Sequence, residues 1–159
     1  VLMFALILML LLSFAGCSAK VEADISSYET ETIEVRGLEA SPITVTPKEL
    51  AKLDCKKETV SESSGQKTVT VKAIGPTLET LAESRGKRTE DFQKVIVTAA
   101  DGYVRTFEAE FFITHPDVIL SLANGDKPLP KEEQPVRLAI PGATPDNWVK
   151  GVILIEFIP

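Results

Sequence analysis

Apolar and polar residues alternate through Thr32-Ile33-Glu34-Val35-Arg36-Gly37-Leu38, the period-two pattern of a strand with one buried face. Ile43-Thr44-Val45 is a further short extended piece. Thr46-Pro47-Lys48-Glu49 then carries the marks of a helix start: Thr as N-cap, Pro at the first helical position, Glu placed to close a capping box. It predicts a short helix to about Leu53, with Leu50 and Leu53 on one face. Lys57 to Ser63 and Lys67 to Ile74 predict a hairpin turned at Ser63-Ser64-Gly65-Gln66, with Val69, Val71 and Ala73 on one side of the second strand. Gly75-Pro76 stops it. Thr77 to Ser84 has Leu78 and Leu81 at helical spacing and ends before Gly86. Lys94 to Ala100 is an apolar strand, turned by Asp101-Gly102 into Tyr103 to Phe107. Glu108 to Asp117 predicts a helical turn and a loop, and Val118 to Ala123 a strand followed by a turn and loop over Asn124 to Leu129.

The last part of the chain holds the best candidate for a site. Gln134 to Gly142 and Trp148 to Phe157 read as two strands joined by a Pro/Gly/Asn-containing loop, with Arg137 on the first and Lys150 on the second. If these strands pair, two cations and Trp148 lie beside one loop. Together the elements predict a strand-rich α+β domain with mixed sheets and two or three short helices, without an internal repeat.

The N-terminal residues change this picture only by being set aside. Val1 to Gly16 carries no charge and runs through an apolar stretch into Ser13-Phe14-Ala15-Gly16-Cys17, the pattern of a secretory signal segment. Phe14-Ala15-Gly16-Cys17 resembles the bacterial lipobox, which implies cleavage before Cys17 and lipidation of that residue. The plainer readings are an ordinary signal peptide or a short anchor helix, although the apolar run falls below the ~18 residues of a membrane span. Ser18 to Thr30 is polar and lacks apolar periodicity, so residues 17–31 are expected to form a lipidated tether ahead of a domain at 32–159. The protein is thus expected to be extracytoplasmic and membrane-anchored, at the cell surface or in the periplasm.

About 140 residues remain after the signal segment, enough for one core. The whole formal charge of −6 stays with them. Such an acidic domain is a poor partner for nucleic acid, whose affinity rests on Lys and Arg neutralising phosphates. The chain has two cysteines; if Cys17 becomes a thioether, Cys55 is a free thiol. A Ser/His/Asp or Cys/His set needs a base, and the one histidine, His115 in Thr114-His115-Pro116, reads as a surface or capping residue. One His and one usable Cys cannot supply a zinc site, and no Gly-rich phosphate loop occurs. The carboxylate pairs Glu108/Glu110 and Glu132/Glu133 are expected on solvated faces. Cys55 stands where a helix passes into a strand: as a structural residue it is a small buried apolar group, as a functional one a thiolate ligand or redox thiol beside Lys56 and Lys57.

From Ile43 onward the order of motifs resembles the molybdopterin-binding domain of the sulfite oxidase family. The resemblance lies in Val45-Thr46-Pro47-Lys48-Glu49-Leu50 before a strand hairpin, then Gly75-Pro76-Thr77-Leu78-Glu79-Thr80-Leu81 and Ala100-Asp101-Gly102-Tyr103. It continues in Leu122 to Leu129, in Pro135-Val136-Arg137-Leu138 with Pro141-Gly142, and in Trp148-Val149-Lys150. It implies a mixed α+β domain holding molybdenum through a pterin dithiolene and one Cys thiolate, beside a cationic wall for the cofactor phosphate or an oxyanion substrate. Arg137 and Lys150 occupy the matching motif positions, with Trp148 next to them, and Cys55 is the one thiol that could serve as metal ligand.

The departures carry as much weight. The resemblance puts the metal-binding Cys near Val60-Ser61-Glu62-Ser63, where no Cys stands, and Cys55 is several residues early, a displacement of roughly 20 Å at about 3.3 Å per residue. A Ser hydroxyl is a poor ligand for a soft metal centre. Glu132-Glu133-Gln134 stands where the family has His-Gly, placing negative charge beside the anion wall. The expectation is therefore a membrane-anchored lipoprotein whose molybdopterin-binding-like domain is a non-catalytic binding or accessory module for a small anion or a partner protein. The alternative is a molybdopterin-dependent oxidoreductase acting on an oxyanion or small oxidised substrate.

Overall fold

The computed structural model describes residues 18–64, 66–143 and 148–159. The expected signal segment, the lipidation residue Cys17, Gly65 of the hairpin turn and residues 144–147 of the C-terminal loop lie outside the described residues. Three sheets and three short helices build the domain, as the α+β reading expects. The largest sheet contains β1 (Ile33–Arg36), β2 (Ile43–Val45), β5 (Lys94–Ala99), β6 (Val104–Glu108) and β11 (Val152–Ile158), in the order β2-β1-β11-β5-β6. Only the β1–β11 pairing is parallel. Alternation does the work in β5, where Val95, Val97 and Ala99 turn inward.

A second sheet runs β3 (Cys55–Ser64), β4 (Lys67–Pro76), β8 (Ala123–Asn124) and β9 (Lys127–Pro128). Between the two lies the pair β7 (Ile119–Ser121) and β10 (Arg137–Ala139). β7 is joined to β4 by Leu122 N donating to Ile74 O at 2.8 Å and by Ile74 N donating to Ser121 Oγ at 3.2 Å. This approach requires glycine at position 75, because a Cβ there would stand 1.9 Å from the Leu120 carbonyl oxygen.

The helices follow their caps. α1 (Pro47–Leu50) starts at the expected capping box, with Thr46 Oγ1 accepting from Glu49 N and Glu49 Oε2 accepting from Thr46 N. α2 (Leu78–Glu83) starts at Thr77, whose Oγ1 accepts from Thr80 N at 3.0 Å. α3 (Ala109–Thr114) falls inside the predicted helical turn and ends at His115, whose ring stacks on Phe111 at 4.3 Å. Among the described residues no helix is long and apolar enough to cross a membrane.

Two expectations are corrected. The C-terminal strands do not form a hairpin: β10 pairs with β7, whereas β11 inserts between β1 and β5 in the other sheet. One bridge, Leu138 to Val149, keeps their near ends together. β11 buries Val152, Ile155 and Phe157 on one face, half-buries Leu154 and Ile158 on the other, and has paired strands on both edges, so it sits in the sheet centre. Nor is Ser18 to Thr30 a tether. Ala19 bridges to Cys55, Ala23 is buried, and Tyr28 is 1% exposed, with its hydroxyl donating to Leu122 O at 2.7 Å and accepting from Leu129 N at 3.0 Å.

Candidate functional site

Three segments converge where the two sheets meet. A turn of 3-10 helix over Lys131–Glu133 presents Glu133, β10 presents Arg137, and the strand-to-strand connection ending at Val152 presents Trp148 and Lys150. The connection is fastened by its backbone: Val152 N donates to Val136 O at 2.8 Å and Gly151 N to Glu133 O at 3.2 Å. Gly151 has φ +64°, and a Cβ there would press on the carbonyl oxygens of Gln134 and Glu132. Glycine thus lets Lys150 reach the segment that carries Glu133.

Glu133 binds both cations. Its Oε2 lies 2.6 Å from Arg137 Nη1 and its Oε1 3.2 Å from Lys150 Nζ. The Arg137 and Glu133 side chains are 3% and 8% exposed, whereas Lys150 is 48% exposed. The Arg137 guanidinium carbon lies 5.9 Å from the centroid of the Trp148 ring, within reach of a cation–π contact. Trp148 is buried, and its Nε1 has no hydrogen-bond acceptor among the described residues. The predicted trio of Arg137, Trp148 and Lys150 is therefore brought together, around a carboxylate expected on a solvated face. Glu132 is exposed; its neighbour Glu133 turns inward. The sequence signal for this residue was the Glu132-Glu133 replacement of His-Gly, which marked negative charge at the anion wall without showing which carboxylate enters it.

The structure does not bring Cys55 to this cluster. It opens β3, is 4% exposed, and has its Sγ 3.9 Å from Leu50 O and 4.0 Å from Ala51 O. Its backbone is three strand spacings from that of Arg137, by way of β4 and β7, or roughly 14 Å at ~4.8 Å per spacing. Burial first, and then the charge of Asp54, push the thiol up to about 11, so it holds its proton at neutral pH.

Two depressions bear on the site, one of them lined by cluster residues. The larger, about 390 Å³, lies between β3 and the loop after β10 and is lined by Thr59, Val60, Ser61, Ser63, Pro141, Gly142 and Ala143. It includes the stretch where the family resemblance expects a metal thiolate. Its described walls offer hydroxyls and backbone groups, and the chain's two cysteines stand elsewhere in the sequence. The smaller, about 150 Å³, is lined by Ala99, Asp101, Tyr103, Trp148 and Lys150. Among the described residues no group of His, Cys, Asp and Glu is arranged to hold a metal ion.

Residues 19–159 match the family described as oxidoreductase molybdopterin binding domain, and the chain belongs to that family. Among solved structures it is similar to the sulfane dehydrogenase SoxCD from Paracoccus pantotrophus, with a TM-score of 0.68 and 21% sequence identity. That similarity covers 89% of this chain and 40% of that one, so the chain spans well under half of its structural relative. No curated protein matches the chain significantly. The fold expectation and the family resemblance are both borne out.

Proposed function

We propose that the protein is an extracytoplasmic lipoprotein, anchored through Cys17, whose molybdopterin-binding-type domain serves as a non-catalytic binding or accessory module. The observation that carries this reading is Glu133. Its carboxylate already pairs with both cations that a cofactor phosphate or an oxyanion would use, with Arg137 through Nη1 at 2.6 Å and with Lys150 through Nζ at 3.2 Å. The donor chemistry supports it further. A soft metal centre takes thiolates, whereas the cleft at Thr59 to Ser63 offers hydroxyls, and the Cys55 thiol is buried and protonated. The residues present do not fit molybdenum bound as the family resemblance implies, and no redox step is assigned.

A ligand arriving from solvent meets Lys150 first, since it is half-exposed even while paired with Glu133, beside Trp148 and the small depression it lines. Those features suit a small anion or an acidic patch on a partner protein. Function belongs to the site rather than the fold, so family membership alone does not carry catalysis. The deciding measurement is elemental analysis of the domain purified from a host that makes the molybdenum cofactor. Molybdenum well below one atom per chain is expected. A stoichiometric content would overturn this reading in favour of a molybdopterin-dependent oxidoreductase.

A further inference from the structure

The segment that follows Cys17 extends the lipoprotein reading, on which this inference rests. Ser18 Oγ accepts a hydrogen bond from Cys55 N at 3.2 Å, and Ala19 N donates to Cys55 O at 3.0 Å, adding a bridge to the outer edge of β3. Ala19, Val21 and Ile25 pack against buried Ala23, Ile74 and Ala123. Tyr28 closes the segment with its two buried hydrogen bonds. The chain is thus part of the folded body from Ser18 on, one Cα–Cα step of about 3.8 Å from Cys17. A flexible Ser18 to Thr30 would instead give the domain a reach of roughly 20 Å r.m.s. and free rotation.

We propose that a lipid on Cys17 holds the domain directly against the bilayer in one orientation, with the end of β3 at Ser18 and Cys55 facing the headgroups. Charge does not set this contact. Among the described residues near this end, exposed Lys20, Lys52 and Lys57 alternate with Glu22, Asp24 and Asp54, and Lys56 is paired with Asp117. The covalent attachment and the rigid start of the fold set it. β3 runs away from this end, placing Thr59 to Ser63 roughly 13 to 26 Å along the strand from Cys55 at about 3.3 Å per residue. The cleft between β3 and the Pro141-Gly142 loop is therefore presented at one distance from the bilayer instead of sweeping a shell around its anchor.

The test uses the lipidated full chain in phosphatidylcholine vesicles containing nitroxide-headgroup lipid. A fluorophore is placed through Lys20→Cys or, at the hairpin tip, Gln66→Cys; both positions are exposed, and labelling at pH 7 spares the buried Cys55. Quenching several-fold stronger at position 20 than at position 66 is expected, and a Gly/Ser insertion between Cys17 and Ser18 should bring the two close to equal. Equal quenching without the insertion, in protein whose mass shows lipid on Cys17, overturns the fixed orientation and leaves the lipoprotein reading standing. Absence of lipid on Cys17 overturns both.

Discussion

Glu133 and Arg137 form a buried ion pair within a cluster whose third member, Lys150, reaches solvent. Taking charges out of water is costly, and removing one partner of a buried pair typically destabilises by about 3–5 kcal/mol. Glu133→Ala is expected to lose stability of that size in urea unfolding followed by Trp148 fluorescence, and Glu133→Gln, which keeps an acceptor, less. Lys150→Ala should cost under about 1 kcal/mol, because its half-exposed ammonium interacts largely through water. A Glu133→Ala loss as small as that of Lys150→Ala would show that the pair behaves as a surface bridge. Cys55 makes a prediction of opposite chemistry. Burial pushes its thiol up to about 11, above the ordinary cysteine range, so the folded state holds a proton that the unfolded state releases. Its contribution is complete below about pH 9 and is lost as pH rises through about 11. Between those values the wild-type protein should lose more stability with pH than Cys55→Ala, with slopes compared by urea midpoints. At this scale Arg137, Trp148 and Lys150 were legible because they stand at the starts of the C-terminal strands, in Pro135-Val136-Arg137-Leu138 and Trp148-Val149-Lys150. The inward turn of Glu133 was not, since in a 3-10 turn beside Glu132 no periodicity marks which carboxylate faces the core.

Most elements announce themselves through local chemistry: the Thr46 capping box, the Thr77 cap, the Asp101-Gly102 turn, the alternation in β5. Two did not, for different reasons. The C-terminal strands looked like a hairpin because a short polar loop joins them, yet strand pairing is settled by which surfaces each can bury. β11 buries Val152, Ile155 and Phe157 against the core, and β1 and β5 pair with it on both edges, one pairing parallel across more than a hundred residues. The length and apolar content of Val152 to Ile158 pointed to a central strand, since a short sheet-edge hairpin strand would need neither. The segment from Ser18 to Tyr28 looked like a tether because its apolar residues are few and small. Its attachment comes from one tyrosine hydroxyl and a backbone bridge, neither of which leaves a periodic trace. Tyr28→Phe keeps the ring but leaves Leu122 O and Leu129 N without that hydroxyl. It is expected to cost about 1–3 kcal/mol, measured by urea unfolding. A change near zero would mean that the two hydroxyl bonds contribute nothing to the attachment.

At the scale of the molecule, the α+β class and the family were readable because the motifs fall in the family's order, and that order survives where each motif alone is weak. The match over residues 19–159 reaches further back than the expected domain start at residue 32, in keeping with the packed N-terminal segment. What the order of motifs could not convey is how the molecule balances its interior charge. In a domain that relies on a bound anion to neutralise a buried arginine, the folded fraction rises with ligand concentration by mass action. Here the counter-charge is carried four residues from Arg137 on the same chain. The Arg137–Glu133 pair forms within the chain itself, so the folded fraction is expected to change little with cofactor supply.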